Sequence, residues 1–167
     1  MSLQVGIPLF LIAMLIQATI LPHLRVFGGQ PDLIVILVLA WAILDHDREG
    51  MAWAFVGGLF IDLLSGAPFG ISSLILVPVA YLVGLTEARV YRTSLALPLV
   101  LTAGGALAYH AAYLLLLRFL ADFPVAWTEI PGYVTVPSVI FDVILIIPVL
   151  RVLSRVYDRL HPRQVKI

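Results

Sequence analysis

Three side chains stand in apolar surroundings where their chemistry is costly to hold: Asp62, His110 and Asp142. Asp62 sits in the run Gly57-Gly58-Leu59-Phe60-Ile61-Asp62-Leu63-Leu64, and Asp142 in Phe141-Asp142-Val143. Two carboxylates inside a membrane could make an aspartyl dyad, in which like charges drive the two acid strengths apart. Together with His110 they are expected to form a polar cluster inside the bundle, since ionisable groups in a bilayer face the bundle interior and find partners. Each also has a plainer structural reading. Asp62 would cap the turn that follows it by accepting backbone hydrogens, and His110 would bridge two helices. Nothing around either aspartate is specific to catalysis. The chain has no Walker lysine loop, no His-Glu-x-x-His helix and no Gly-x-Ser-x-Gly elbow. It also has no cysteine, which excludes disulfides, thiolate zinc sites and a cysteine nucleophile. No enzymatic activity, metal or cofactor is expected.

The elements that position these groups follow from composition. Hydrophobic residues are 62% of 167 and charged residues 12%, with a mean hydropathy of +1.07. A chain this short and apolar cannot cover its own surface with polar groups, so lipid must solvate much of it. Charges, prolines and glycines divide it into apolar runs at about residues 5–21, 33–44, 51–64, 71–86 and 95–120, with a sixth beginning near Pro137. The first could pass for a secretory signal, but no Lys or Arg precedes it and no small-x-small cleavage site follows, so it reads as a retained span. The fold class is therefore all-α: one integral membrane domain over residues 1–167 with six transmembrane helices and a basic tail from about Arg151. The second and third runs are shorter than the roughly 20 residues of a perpendicular span. A re-entrant hairpin would put the cluster Asp45-His46-Asp47-Arg48-Glu49 into hydrocarbon. Each charge there costs about 2.5–3.5 kcal/mol, which favours full crossings.

Arginine placement sets the orientation. With six spans, the side of the two termini collects Arg48, Arg89, Arg92, Arg151, Arg155, Arg159, Arg163 and Lys166, against Arg25 and Arg118 opposite. Both termini are expected in the cytoplasm. Asp142 then lies roughly 9 Å below the outer end of its helix, and His110 roughly 22 Å from the inner end of its own. Asp62 falls near the outer end of the third span, which places all three in the outer half.

Helical faces add detail. Ala54, Gly58, Asp62 and Gly66 recur every four residues, with Gly57 beside them, and Gly104, Ala108 and Ala111 form a second small-residue stripe. Such stripes allow close helix packing, within the chain or against a partner's helix. Thr135, Ser138 and Asp142 make a polar stripe on the sixth span. Gly66, Pro68 and Gly70 carry strong turn chemistry between the third and fourth. In the tail, Arg151, Arg155, Arg159 and Arg163 recur every four residues. They would form a cytoplasmic basic edge along anionic headgroups, as a topology anchor or a docking surface. Apart from these arginines nothing supports nucleic-acid binding.

One segment carries a resemblance. Pro31-Asp32-Leu33 opens the second span, and Gly57-Gly58-Leu59-Phe60-Ile61-Asp62-Leu63-Leu64-Ser65-Gly66-Ala67-Pro68-Phe69-Gly70 closes the third. Over these roughly forty residues the chain resembles the rod shape-determining protein MreD family. That family shows a Pro-Asp-Leu start and a G-x-x-x-D-L-L-x-G-x-P-[LF]-G segment. Its sixth span usually has Asn where this chain has Asp142 ahead of Pro148. The resemblance implies a non-enzymatic scaffold of the cell-elongation machinery. It would bind MreC, act with MreB, RodA and a class B penicillin-binding protein, and help to organise peptidoglycan synthesis. It also implies the fold of the substrate-binding S component of energy-coupling-factor vitamin transporters. Such an S component is the alternative function, with Asp62, His110 and Asp142 lining an outward pocket.

Overall fold

A computed structural model describes residues 3–25, 28–44, 49–66, 68–85, 96–120 and 131–160. Of the residues used above, Asp45 to Arg48, Ala67, Arg89, Arg92, Arg163 and Lys166 lie outside the described residues. Six α-helices occur among the described residues: α1 (Leu3–Thr19), α2 (Leu33–Leu44), α3 (Glu49–Ser65), α4 (Ile71–Gly84), α5 (Ala96–Leu120) and α6 (Val136–Leu160). A short 3-10 turn, Leu21–Leu24, follows α1 and takes over from it at Pro22, where proline suits the start of a new turn. A π-helical turn, Pro131–Thr135, leads into α6. The basic segment that begins at Arg151 continues α6 to Leu160.

The arrangement is built around α2. Every residue from Ile34 to Leu44 is buried, so this helix is apolar on all sides and has no polar face to present. It packs on each of the other five helices. At 12 residues it is only about 18 Å long, and its neighbours extend past it. The outer helices do the opposite. Phe119 is 79% exposed, Val100 66% and Leu15 63%, a surface of large apolar side chains that only lipid or another apolar partner would solvate. Both α5 and α6 have 25 residues, or about 37 Å of helix, enough to cross a hydrocarbon core of about 30 Å. The described residues are all-helical, and two of their helices are long and apolar enough to cross a membrane.

The closest pair is α3 with α4. Gly58 makes it possible: a Cβ there would sit 2.4 Å from the backbone of Ser73. Gly57, one residue earlier, faces the other way, and its Cβ would meet Val38 at 2.8 Å and Phe10 at 2.9 Å. Ala54 is fully buried on the same helix. These three small residues bring α3 against α4, α2 and α1. On α5 the residue that allows close approach is Gly105, whose Cβ would meet Leu39 of α2 at 2.8 Å.

Candidate functional site

Most of the polar side chains that the fold encloses gather at one end, where α1 and α3 finish and α2, α4 and α6 begin; Thr102 and the Trp41 indole N–H lie toward the other. Those at the first end fall into two sets.

The first set closes the α3–α4 turn. Gly70 precedes α4 with φ +100°, a left-handed conformation that favours glycine, and it has no side chain to cap the helix. Asp62 supplies the cap from the preceding helix. Its Oδ2 accepts the Gly70 N–H at 2.7 Å and its Oδ1 accepts the Ser72 N–H at 3.1 Å. The carboxylate is 2% exposed. Gly66 is also left-handed, at φ +65°, so the turn needs both glycines. Ser73 then donates its hydroxyl to the Phe55 carbonyl at 2.8 Å, which ties α4 back to α3 beside Gly58. Ser72 Oγ and Tyr109 Oη lie 3.2 Å apart and extend the stitching to α5.

The second set centres on Asp32, the residue before α2. Its Oδ1 accepts from the Gln17 side chain at 2.9 Å and from the Val35 N–H at 3.3 Å, so it caps α2 and holds α1. Gln17 Oε1 in turn accepts the Ile34 N–H at 3.1 Å. The Asp32 N–H donates to Asp142 Oδ1 at 2.9 Å, and the Gln30 N–H to Ser138 Oγ at 3.1 Å. Thr135, Ser138 and Asp142 are all buried, so the polar stripe of α6 lies against residues 29–32. Gly29 permits this, because a Cβ there would lie 2.7 Å from Pro137. His110 of α5 lies within electrostatic reach of Asp32. Two buried atoms in this set have no hydrogen-bond partner among the described residues: His110 Nε2 and Asp142 Oδ2.

Asp62 therefore serves the turn, whereas Asp142 and His110 meet around Asp32. Sequence reasoning had weight on Asp32 only as the opening of a motif, and it passed over Gln17, although an amide in an apolar run was a usable signal. Next to this junction lies a cavity of about 380 Å³. It occupies the gap left because α5 packs on α2, α4 and α6 but not closely on α1 or α3. Asp32, His110, Gln17, Tyr109 and Tyr113 line it, with Arg25 at the exposed side. No group of three metal-binding side chains gathers among the described residues.

The small-residue stripes divide in the same way. Ala54, Gly57 and Gly58 are filled by the chain's own helices, whereas Gly104 has nothing within 4 Å of its Cβ position and Ala108 and Ala111 are exposed. In the basic edge, Arg151 and Arg155 are exposed while Leu153 faces inward. Arg159 lies in the last turn of α6.

No solved structure matches this fold. The model of the family described as rod shape-determining protein MreD matches residues 1–156 of the 167, and the chain belongs to that family of shape-determining proteins.

Proposed function

We propose that this chain is a six-span scaffold of the bacterial cell-elongation machinery, a single integral membrane unit with both termini in the cytoplasm. It binds MreC, acts directly or through MreC with MreB, RodA and a class B penicillin-binding protein, and so helps to organise peptidoglycan synthesis without catalysing a reaction itself. Membership of the shape-determining family carries this reading. The open stripe Gly104, Ala108 and Ala111 supports a helix-receiving face on α5, because small residues let a second backbone approach closely. Gly58 is already occupied by Ser73, so the partner's helix is assigned to α5 and not to α3. The exposed Arg151 and Arg155 support an inner-side edge facing anionic lipid or a cytoplasmic filament.

The test is mass spectrometry of what co-purifies with a tagged copy from gently solubilised native membranes. MreC and cell-wall synthases are expected with the unaltered chain. A Gly104→Leu, Ala108→Leu double variant is expected to lose MreC by about tenfold or more, with thermal stability unchanged. Undiminished MreC would remove the α5 face from the proposal. The cavity beside Asp32 favours one other reading, a substrate-binding S component. Recovery of an ATPase pair with a coupling membrane subunit would replace the scaffold by that transporter role.

A further inference from the structure

The cavity beside Asp32 has more chemistry than a packing gap requires. Its walls offer a half-buried carboxyl at Asp32, an imidazole at His110, and the rings of Tyr109 and Tyr113, which stack with centroids 5.8 Å apart. At its exposed side Arg25 is held by a 3.0 Å hydrogen bond from Nε to Gln30 Oε1. A carboxyl and aromatic faces in one wall are the two features that attract an organic cation. An ammonium brings three donor hydrogens. The acceptor in this wall is the Asp32 carboxyl, whereas His110 contributes its ring and keeps Nε2 enclosed. The guanidinium of Arg25 adds a fixed positive charge at the rim, suited to a phosphate or carboxylate. One acid within and one base at the mouth select neither a bare cation nor a bare anion. The volume of about 380 Å³ lies within the range of small-ligand sites.

We propose that this cavity binds a zwitterionic group, with a primary ammonium on Asp32 beside the His110, Tyr109 and Tyr113 rings and its anionic end on Arg25. Two sources share this chemistry: a phosphatidylethanolamine headgroup reached from the bilayer, and a free water-soluble zwitterion such as phosphoethanolamine. The site stands whichever end of the bundle faces outward, and it is independent of the helix-receiving face on α5.

The experiment uses the full chain, delipidated in detergent and titrated with phosphatidylethanolamine, phosphatidylglycerol or phosphoethanolamine while bound ligand is counted by native mass spectrometry. Phosphatidylethanolamine is expected to be held at least about tenfold more tightly than phosphatidylglycerol, because only the former has the ammonium. Displacement by phosphoethanolamine would assign recognition to the headgroup alone. Retention of the lipid without such displacement would make it the source and the acyl chains part of the site. Asp32→Asn keeps an acceptor for the α2 cap and removes the charge, and Arg25→Ala alters an exposed group outside the helical core. Each is expected to weaken binding by about tenfold. Equal binding of both lipids, or binding unchanged in both variants, overturns the proposal. MreC recovery from the same variants reads the scaffold separately, so that failure here leaves the scaffold reading intact.

Discussion

Two buried aspartates at the same end of the bundle live in opposite circumstances. Asp62 has both oxygens occupied by backbone N–H groups only 8 and 10 residues away, within one hairpin. Asp142 reaches 110 residues back to Asp32 with one oxygen and leaves the other without a partner. The hairpin is closed locally and completely. The junction draws α1, α2, α5 and α6 together around Asp32, and two of its polar atoms, His110 Nε2 and Asp142 Oδ2, have no hydrogen-bond partner among the described residues, His110 being a wall of the cavity. Burying an unpaired polar atom costs about 1–3 kcal/mol, and of the four such atoms among the described residues two lie in the junction, two in the body of α2 and α5, and none in the hairpin. The hairpin holds the fold, and the junction is the place to look for a bound group.

The largest break in that comparison is expected at Gly58. A leucine there must displace the Ser73 backbone, which stands 2.4 Å from the Cβ position and is not the flexible end of a side chain. Gly58→Leu is expected to cost about 3 kcal/mol or more, as overpacking that moves a helix does. The readout is loss of the monodisperse folded protein and of its thermal transition in detergent. A variant with an ordinary transition would show that α3 and α4 can separate without harm, and the hairpin would lose its standing as the rigid region. A smaller break is expected at Asp62→Ala, which strands two N–H groups at the start of α4. That should cost about 2 kcal/mol, seen in chemical unfolding and in faster amide exchange at Gly70 and Ser72. Protection unchanged at those two amides would mean that Asp62 is not their cap.

The same contrast explains what could be read from the sequence. The hairpin was legible because its parts lie within about twenty residues: the small stripe from Ala54, the carboxylate at Asp62, and the glycines at 66 and 70 follow one another. The bounds of α2 were legible too, because proline and aspartate open it and a charge cluster closes it. The junction was not. No spacing rule links Gln17, Asp32, His110 and Asp142, and only the packing of four helices brings them together. Polarity marked His110 and Asp142 as groups in need of partners, but it could not name Asp32 as the partner. The choice between Gly104 and Gly105 was hidden for the same reason. Adjacent residues on a helix point about 100° apart, and which of them meets Leu39 depends on how α5 is rotated against α2.

The smallest effect, and the one that sharpens the comparison most, is expected at Asp142. Alanine there takes one acceptor from the Asp32 N–H, where the Asp62 change takes two from the α4 start. It also removes the unpaired Oδ2, whose desolvation the folded protein otherwise bears. The loss should therefore be about 1 kcal/mol, roughly half that of Asp62→Ala, with Asp142→Asn restoring much of it by keeping an oxygen for Asp32. Chemical unfolding of the three variants in one detergent would decide this. Were Asp142→Ala as damaging as Asp62→Ala, or Asp142→Asn no better than alanine, then Oδ2 must itself have an essential partner. The junction would then be as fully closed as the hairpin, through a group that binds there.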